Sequence, residues 1–143
     1  MAAITNKKIL RVIDANANRA KEGLRVVEDI ARFVLSNKKI STTLKKMRHA
    51  ISAGVLVLSP DYSALLSSRD SEKDVLRGSK NKTEFTRTGL TPLFISNLKR
   101  AQEALRVLEE TSKLIAPAQA VGFKQMRYSL YTLEKKIILS LDK

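Results

Sequence analysis

The residues able to do chemistry in this sequence come in matched pairs. Asn16, Arg19, Glu22, Arg25 and Glu28, in NANRAKEGLRVVE, recur as Asn97, Arg100, Glu103, Arg106 and Glu109, in NLKRAQEALRVLE. The offset is constant, Arg100 minus Arg19 being 81. A second echo, LKKMR and FKQMR, adds Arg48 and Arg127 at an offset of 79 (127 − 48). Arginine binds phosphate through paired, charge-assisted hydrogen bonds. Between the copies, SRDSEKDV supplies Arg69 with Asp70 and Asp74, two carboxylates beside a cation that suit Mg²⁺ held against a phosphate. A solvated charge run is the plainer reading of that stretch, and i,i+3 surface ion pairs are the plainer reading of Arg25 and Arg106 with their glutamates. His49, the only histidine, is replaced by Tyr128 in the second copy and reads as structural.

The elements that position these residues are helices. At 100° per residue Ile13, Ala20, Leu24, Val27, Ala31 and Val34 fall on one face. Leu44, Met47, Ile51, Val55 and Leu58 form a second stripe, and Phe123, Met126, Leu130, Leu133, Ile137 and Leu141 a third. Breakers at Pro60, Pro92 and Pro117 divide the periodic stretches. Ser41 is the expected N-cap of the second helix, and Thr91-Pro92 the expected start of the third. The pattern predicts an all-α fold with four main helices at 6–36, 41–58, 92–115 and 118–141. These make two repeated hairpins in a bundle-like domain covering 1–143, with a long polar loop between the halves at about 68–91. Asn16 and Asn97 both fall within apolar faces, and Arg48 and Arg127 lie beside apolar stripes. A polar group on such a face needs partners, so the four predict either a buried network that fixes helix register or a pocket between helices. The predicted pocket lies between the hairpins, lined by Asn16, Arg19, Asn97, Arg100, Arg48 and Arg127, with 69–74 closing over it.

Composition narrows the class. The chain has 143 residues, 43 % of them hydrophobic, with 5 glycines and 3 prolines, which suits one packed helical domain. It has no cysteine, so disulfides and thiolate metal sites are excluded. No apolar run reaches the roughly 20 residues that span a bilayer, and the start has no signal-peptide core, so a cytoplasmic location is expected. The net charge of +13 invites an anionic partner. The basic residues are spread along the chain and aromatics are only 5 %, not interleaved with them, which argues against nucleic acid. There is no phosphate-binding GxxxxGK[ST], and neither GxGxxG, HExxH nor GxSxG occurs.

Five phrases together, IDANANRAKEGLRVVEDIARFV, LKKMRHAI, SSRDSEKDV, SNLKRAQEALRVLEETSKL and FKQMRYSLYTLEKKI, resemble a known family. It is the helical domain described as a monofunctional hydroxymethylpyrimidine phosphate kinase of thiamine biosynthesis, also found fused in front of thiamine-phosphate synthase. The resemblance runs from about Ile9 to Ile138. It implies a phosphotransferase that uses ATP and Mg²⁺ to convert 4-amino-2-methyl-5-hydroxymethylpyrimidine phosphate to the diphosphate. Under it Arg100, Arg19 and Asp70 are the expected catalytic residues. Asn16, Asn97, Arg48, Arg127 and Arg69 are the expected substrate ligands, and Glu22, Glu103 and Asp74 the expected metal ligands. The alternative is a non-catalytic accessory domain that binds a thiamine precursor or docks onto thiamine-phosphate synthase. A homo-oligomer is left open.

Overall fold

The computed structural model describes residues 2–78 and 87–141, the side chains from residue 6 onward. Within them the chain forms five α-helices and no strand: α1 (Ala2–Asp29), α2 (Lys38–Leu58), α3 (Tyr62–Ser68), α4 (Leu90–Ser112) and α5 (Gln119–Leu141). The all-α expectation and its bundle-like packing hold. Part of the predicted loop, residues 79–86, lies outside the described residues.

Each long helix forms because its apolar residues recur on one side. Ile13, Ala20, Leu24 and Val27 of α1 are fully buried, as are Phe94, Leu98, Ala101, Leu105 and Leu108 of α4. α1 and α4 form the central pair; α2 packs on α1 and α5 on α4, with α2 and α5 also in contact. The central pair is antiparallel, since Asn6 and Leu10 at the start of α1 share a surface cavity with Leu114 and Ile115 just past the end of α4. Gly23 allows their close approach. A Cβ there would stand 2.7 Å from the carbonyl oxygen of Asn97. The matched position in the second copy is Ala104, with 2 % exposure, so this contact is not duplicated.

The helix ends depart from expectation for local reasons. α1 runs on as one π turn, Ile30–Val34, and reverses through Ser36 in the left-handed region at φ 50°. The Asn37 N–H then donates to the Ala31 carbonyl at 2.9 Å, a Schellman-type closure. The N-cap of α2 is Asn37, whose Oδ1 accepts from the Ile40 N–H at 2.9 Å. Ser41 instead donates to the Asn37 carbonyl at 2.7 Å, so α2 begins three residues before the predicted 41. Pro92 falls in the first turn of α4, where its missing N–H has no helical acceptor to lose.

Candidate functional site

Along one side of the central pair α1 and α4 leave a cleft of ≈ 590 Å³. Its lining consists of matched pairs: Asn16 with Asn97, Arg19 with Arg100, Glu22 with Glu103, Gly23 with Ala104, and Val26 with Val107. The pairing follows from the repeat. Residues 16, 19, 23 and 26 share one helical stripe beside the apolar face, and antiparallel packing turns the equivalent stripe of α4 towards them.

Arg19, Glu22, Arg100 and Glu103 are all exposed at the cleft, and among the described residues none has a charge partner within bonding distance. The asparagines are deeper: Asn16 is buried and Asn97 half-buried. Each donates its Nδ2 to the carbonyl one turn back, Asn16 to Val12 and Asn97 to Leu93, both at 2.9 Å. That bond fixes the amide and, among the described residues, leaves Oδ1 of each lining asparagine without a hydrogen-bond donor. The cleft therefore offers two guanidiniums for an anion and four acceptor groups for a donor-bearing ring.

The other arginines have different employment. Arg48 sits 3.4 Å from Glu28, and Arg127 binds Glu109 through Nη2 at 3.0 Å and Nε at 3.2 Å. Glu28 and Glu109 are each 4 % exposed. These are matched cross-hairpin ion pairs, α1 to α2 and α4 to α5. Arg25 and Arg106 approach the same carboxylates from outside at 3.8 and 3.1 Å. Arg127 is clamped further by the Tyr131 hydroxyl at 3.1 Å; that bond and Glu109 raise its pKa, so it stays charged. Arg48 and Arg127 thus do not line the cleft, because buried glutamates hold them.

The loop after α3 also lies elsewhere. Arg69 binds Asp14 of α1 through two bonds of 2.8 Å, which raise its pKa. Asp14 stands on α1 about 160° round from Asn16, so the helix itself separates this pair from the cleft. Asp70 accepts from the Lys73 N–H at 3.1 Å and Asp74 from the Leu76 N–H at 3.0 Å, both as turn caps. Arg11 ties the loop down by donating to the Asp70 carbonyl at 2.9 Å. The expected lid over the cleft is not what residues 69–74 form. Among the expected metal ligands, Glu22 and Glu103 reach the cleft and Asp74 does not. His49 is exposed on α2, away from both.

A family model settles the kinship: the ThiD2 family matches residues 11–136. The chain belongs to the ThiD2 family. This ThiD2 chain is 40 % identical over 130 residues to the thiamine-phosphate synthase of Synechocystis sp., covering 91 % of this chain and 36 % of that protein. It is 37 % identical over 130 residues to that of Nostoc punctiforme, covering 91 % and 35 %, and 34 % identical over 141 residues to that of Rhodopirellula baltica, covering 99 % and 37 %. It therefore spans little more than one third of those curated relatives. No solved structure matches it. The role in thiamine biosynthesis stands. The kinase implied by the resemblance is corrected: these relatives are named for thiamine-phosphate synthesis, a transferase reaction but not a kinase's. Among the described residues no single helix of the ThiD2 chain is long and apolar enough to cross a membrane.

Sequence reasoning missed three polar residues. Asp14, 5 % exposed, went unnoticed because its partner Arg69 is distant in sequence. Glu28 and Glu109 were placed in surface pairs with Arg25 and Arg106. Both glutamates recur, at an offset of 81, as Arg48 and Arg127 do at 79, and that shared recurrence was the available signal.

Proposed function

We propose that the α1–α4 cleft binds a phosphate-bearing pyrimidine precursor of thiamine, and that the chain serves thiamine biosynthesis as a ligand-binding helical domain. The observation that carries this reading is the convergence of three matched polar pairs on one cleft, with all four charged members lacking charge partners among the described residues. Arg19 and Arg100 are the phosphate ligands. The Oδ1 atoms of Asn16 and Asn97, with Glu22 and Glu103, accept from the exocyclic amine of the pyrimidine. Among the described residues no group of three metal-ligating side chains occurs. Mg²⁺ at Glu22 or Glu103 would therefore have to share its shell with the ligand's phosphate.

The fraction of the relatives covered favours a companion reading, that this domain works beside a thiamine-phosphate synthase domain and holds the precursor for it. The test is residue-resolved amide NMR of the chain titrated with the pyrimidine monophosphate, alone and with ATP and Mg²⁺ in separate arms. Saturable shifts at Asn16, Arg19, Gly23, Asn97, Arg100 and Ala104 are expected. Shifts confined to other surfaces would overturn the reading.

A further inference from the structure

A second cavity, ≈ 390 Å³, lies at the corner where α1 turns into α2. Arg32, Lys38 and Lys45 line it with the hydroxyls of Ser41 and Thr42, above Glu28. It shares no lining residue with the α1–α4 cleft. Arg32 comes from the π turn that ends α1, and its guanidinium rests 4.8 Å over the Phe33 ring. The two lysines and two hydroxyls come from the first turns of α2.

The charges at this corner do not balance. Among the described residues Glu28 is the only acid in the lining, and it is already matched by Arg48 at 3.4 Å and Arg25 at 3.8 Å. Asp29, its neighbour, is engaged with Arg25 at 3.5 Å. Among the described residues Arg32, Lys38 and Lys45 have no carboxylate partner. Three cations thus border one cavity with no negative charge left for them, an arrangement that costs energy through mutual repulsion unless an anion enters.

The duplication supplies an internal comparison. Arg32 corresponds to Lys113 (113 − 32 = 81), which is paired with Glu110 at 2.9 Å. Lys38, Ser41 and Thr42 correspond at an offset of 79 to Pro117, Ala120 and Val121. Lys45 corresponds to Lys124, which lies 5.8 Å from the Tyr128 ring. The same corner of the fold is therefore built with one carboxylate-paired cation, a second cation and apolar residues in one half, and with three cations lacking carboxylates and with hydroxyls in the other. Folding the hairpin does not require the second set.

We propose that this corner is a second anion site, separate from the cleft, for a phosphate dianion, free or as a phosphomonoester. Three cations suit a multiply charged oxyanion, and the Thr42 hydroxyl donates to a remaining oxygen, the Ser41 hydroxyl being already given to the Asn37 carbonyl. A monocarboxylate would leave most of the positive charge unmatched. The experiment is amide NMR of the ¹⁵N-labelled chain titrated with inorganic phosphate and, separately, methyl phosphate, with chloride at equal ionic strength as control. Saturable shifts at Lys38, Ser41, Thr42 and Lys45 are expected. Arg32→Ala should weaken them about tenfold or more, the loss of one charge-assisted contact. Arg100→Ala, at the cleft, should leave them unchanged. Tighter saturation by methyl phosphate assigns the site to phosphomonoesters, and tighter saturation by inorganic phosphate to the free ion. Shifts that rise linearly, that chloride reproduces, or that survive in an Arg32→Ala/Lys45→Ala double variant overturn the proposal. Both residues are exposed, so the double variant keeps the core intact.

Discussion

Arg100 and Arg127 are the same residue type with opposite energetic roles. Arg127 is the buried partner of Glu109, which has 4 % exposure and without it keeps only the outer Arg106 at 3.1 Å. Removing one member of a buried pair costs about 3–5 kcal/mol, while replacing both by apolar residues is often near neutral. We predict that Arg127→Ala lowers the urea unfolding free energy by about that amount and that Glu109→Leu with Arg127→Leu recovers most of it. Arg100→Ala should stay within about 0.5 kcal/mol of the parent, as surface changes do. Equal losses at the two positions would show that Arg100 is also structural. The asparagines and outer arginines of the cleft were legible in the sequence because helical periodicity places them beside the apolar face. The partners of Arg48, Arg127 and Arg69 were not. A helical wheel says which side of a helix a residue takes, and nothing about which carboxylate a neighbouring helix brings there.

Between elements, the α1–α4 contact carries the cleft, and Gly23 sets its closeness. A Cβ at Gly23 meets backbone, the Asn97 oxygen at 2.7 Å, so α4 must move rather than a side chain rotate. Gly23→Ala should cost about 1–3 kcal/mol in thermal or urea unfolding, the range for overpacking. Gains from helix propensity would instead make it stabilising by up to about 1 kcal/mol, and that result would contradict the contact. The turn after α1 makes a separate prediction. Ser36 holds φ 50° without being glycine. The left-handed conformation costs a non-glycine residue roughly 1–2 kcal/mol. Ser36→Gly should therefore stabilise the chain by about 1 kcal/mol, read from the shift in urea midpoint at constant slope. The helices themselves were readable from the stripes. Their ends were less so, because Asn37 and Ser41 are both competent caps and only the geometry of the turn decides between them.

At the scale of the whole molecule, the duplicated contacts lie in matched places. Glu28–Arg48 mirrors Glu109–Arg127, and the Asn16–Val12 bond mirrors Asn97–Leu93. Matched residues meet where α1 crosses α4, which is why the polar pairs gather at one cleft instead of forming two separate sites. The net charge of +13 is not concentrated there: the cleft holds two arginines against two glutamates. Affinity for a phosphate-bearing ring should thus come from directed contacts more than from bulk attraction, and should be only modestly sensitive to salt. Isothermal titration of 4-amino-2-methyl-5-hydroxymethylpyrimidine phosphate into the parent chain and into Arg100→Ala tests this most directly. The predicted result is a saturable cleft component, distinct from phosphate binding at the α1–α2 corner, weakened by about 1.5–3 kcal/mol in the variant with no change in folding, as expected for a lost charge-assisted hydrogen bond. Undiminished binding in Arg100→Ala and in Arg19→Ala, or no saturable binding to the parent chain, would contradict the cleft as the binding site.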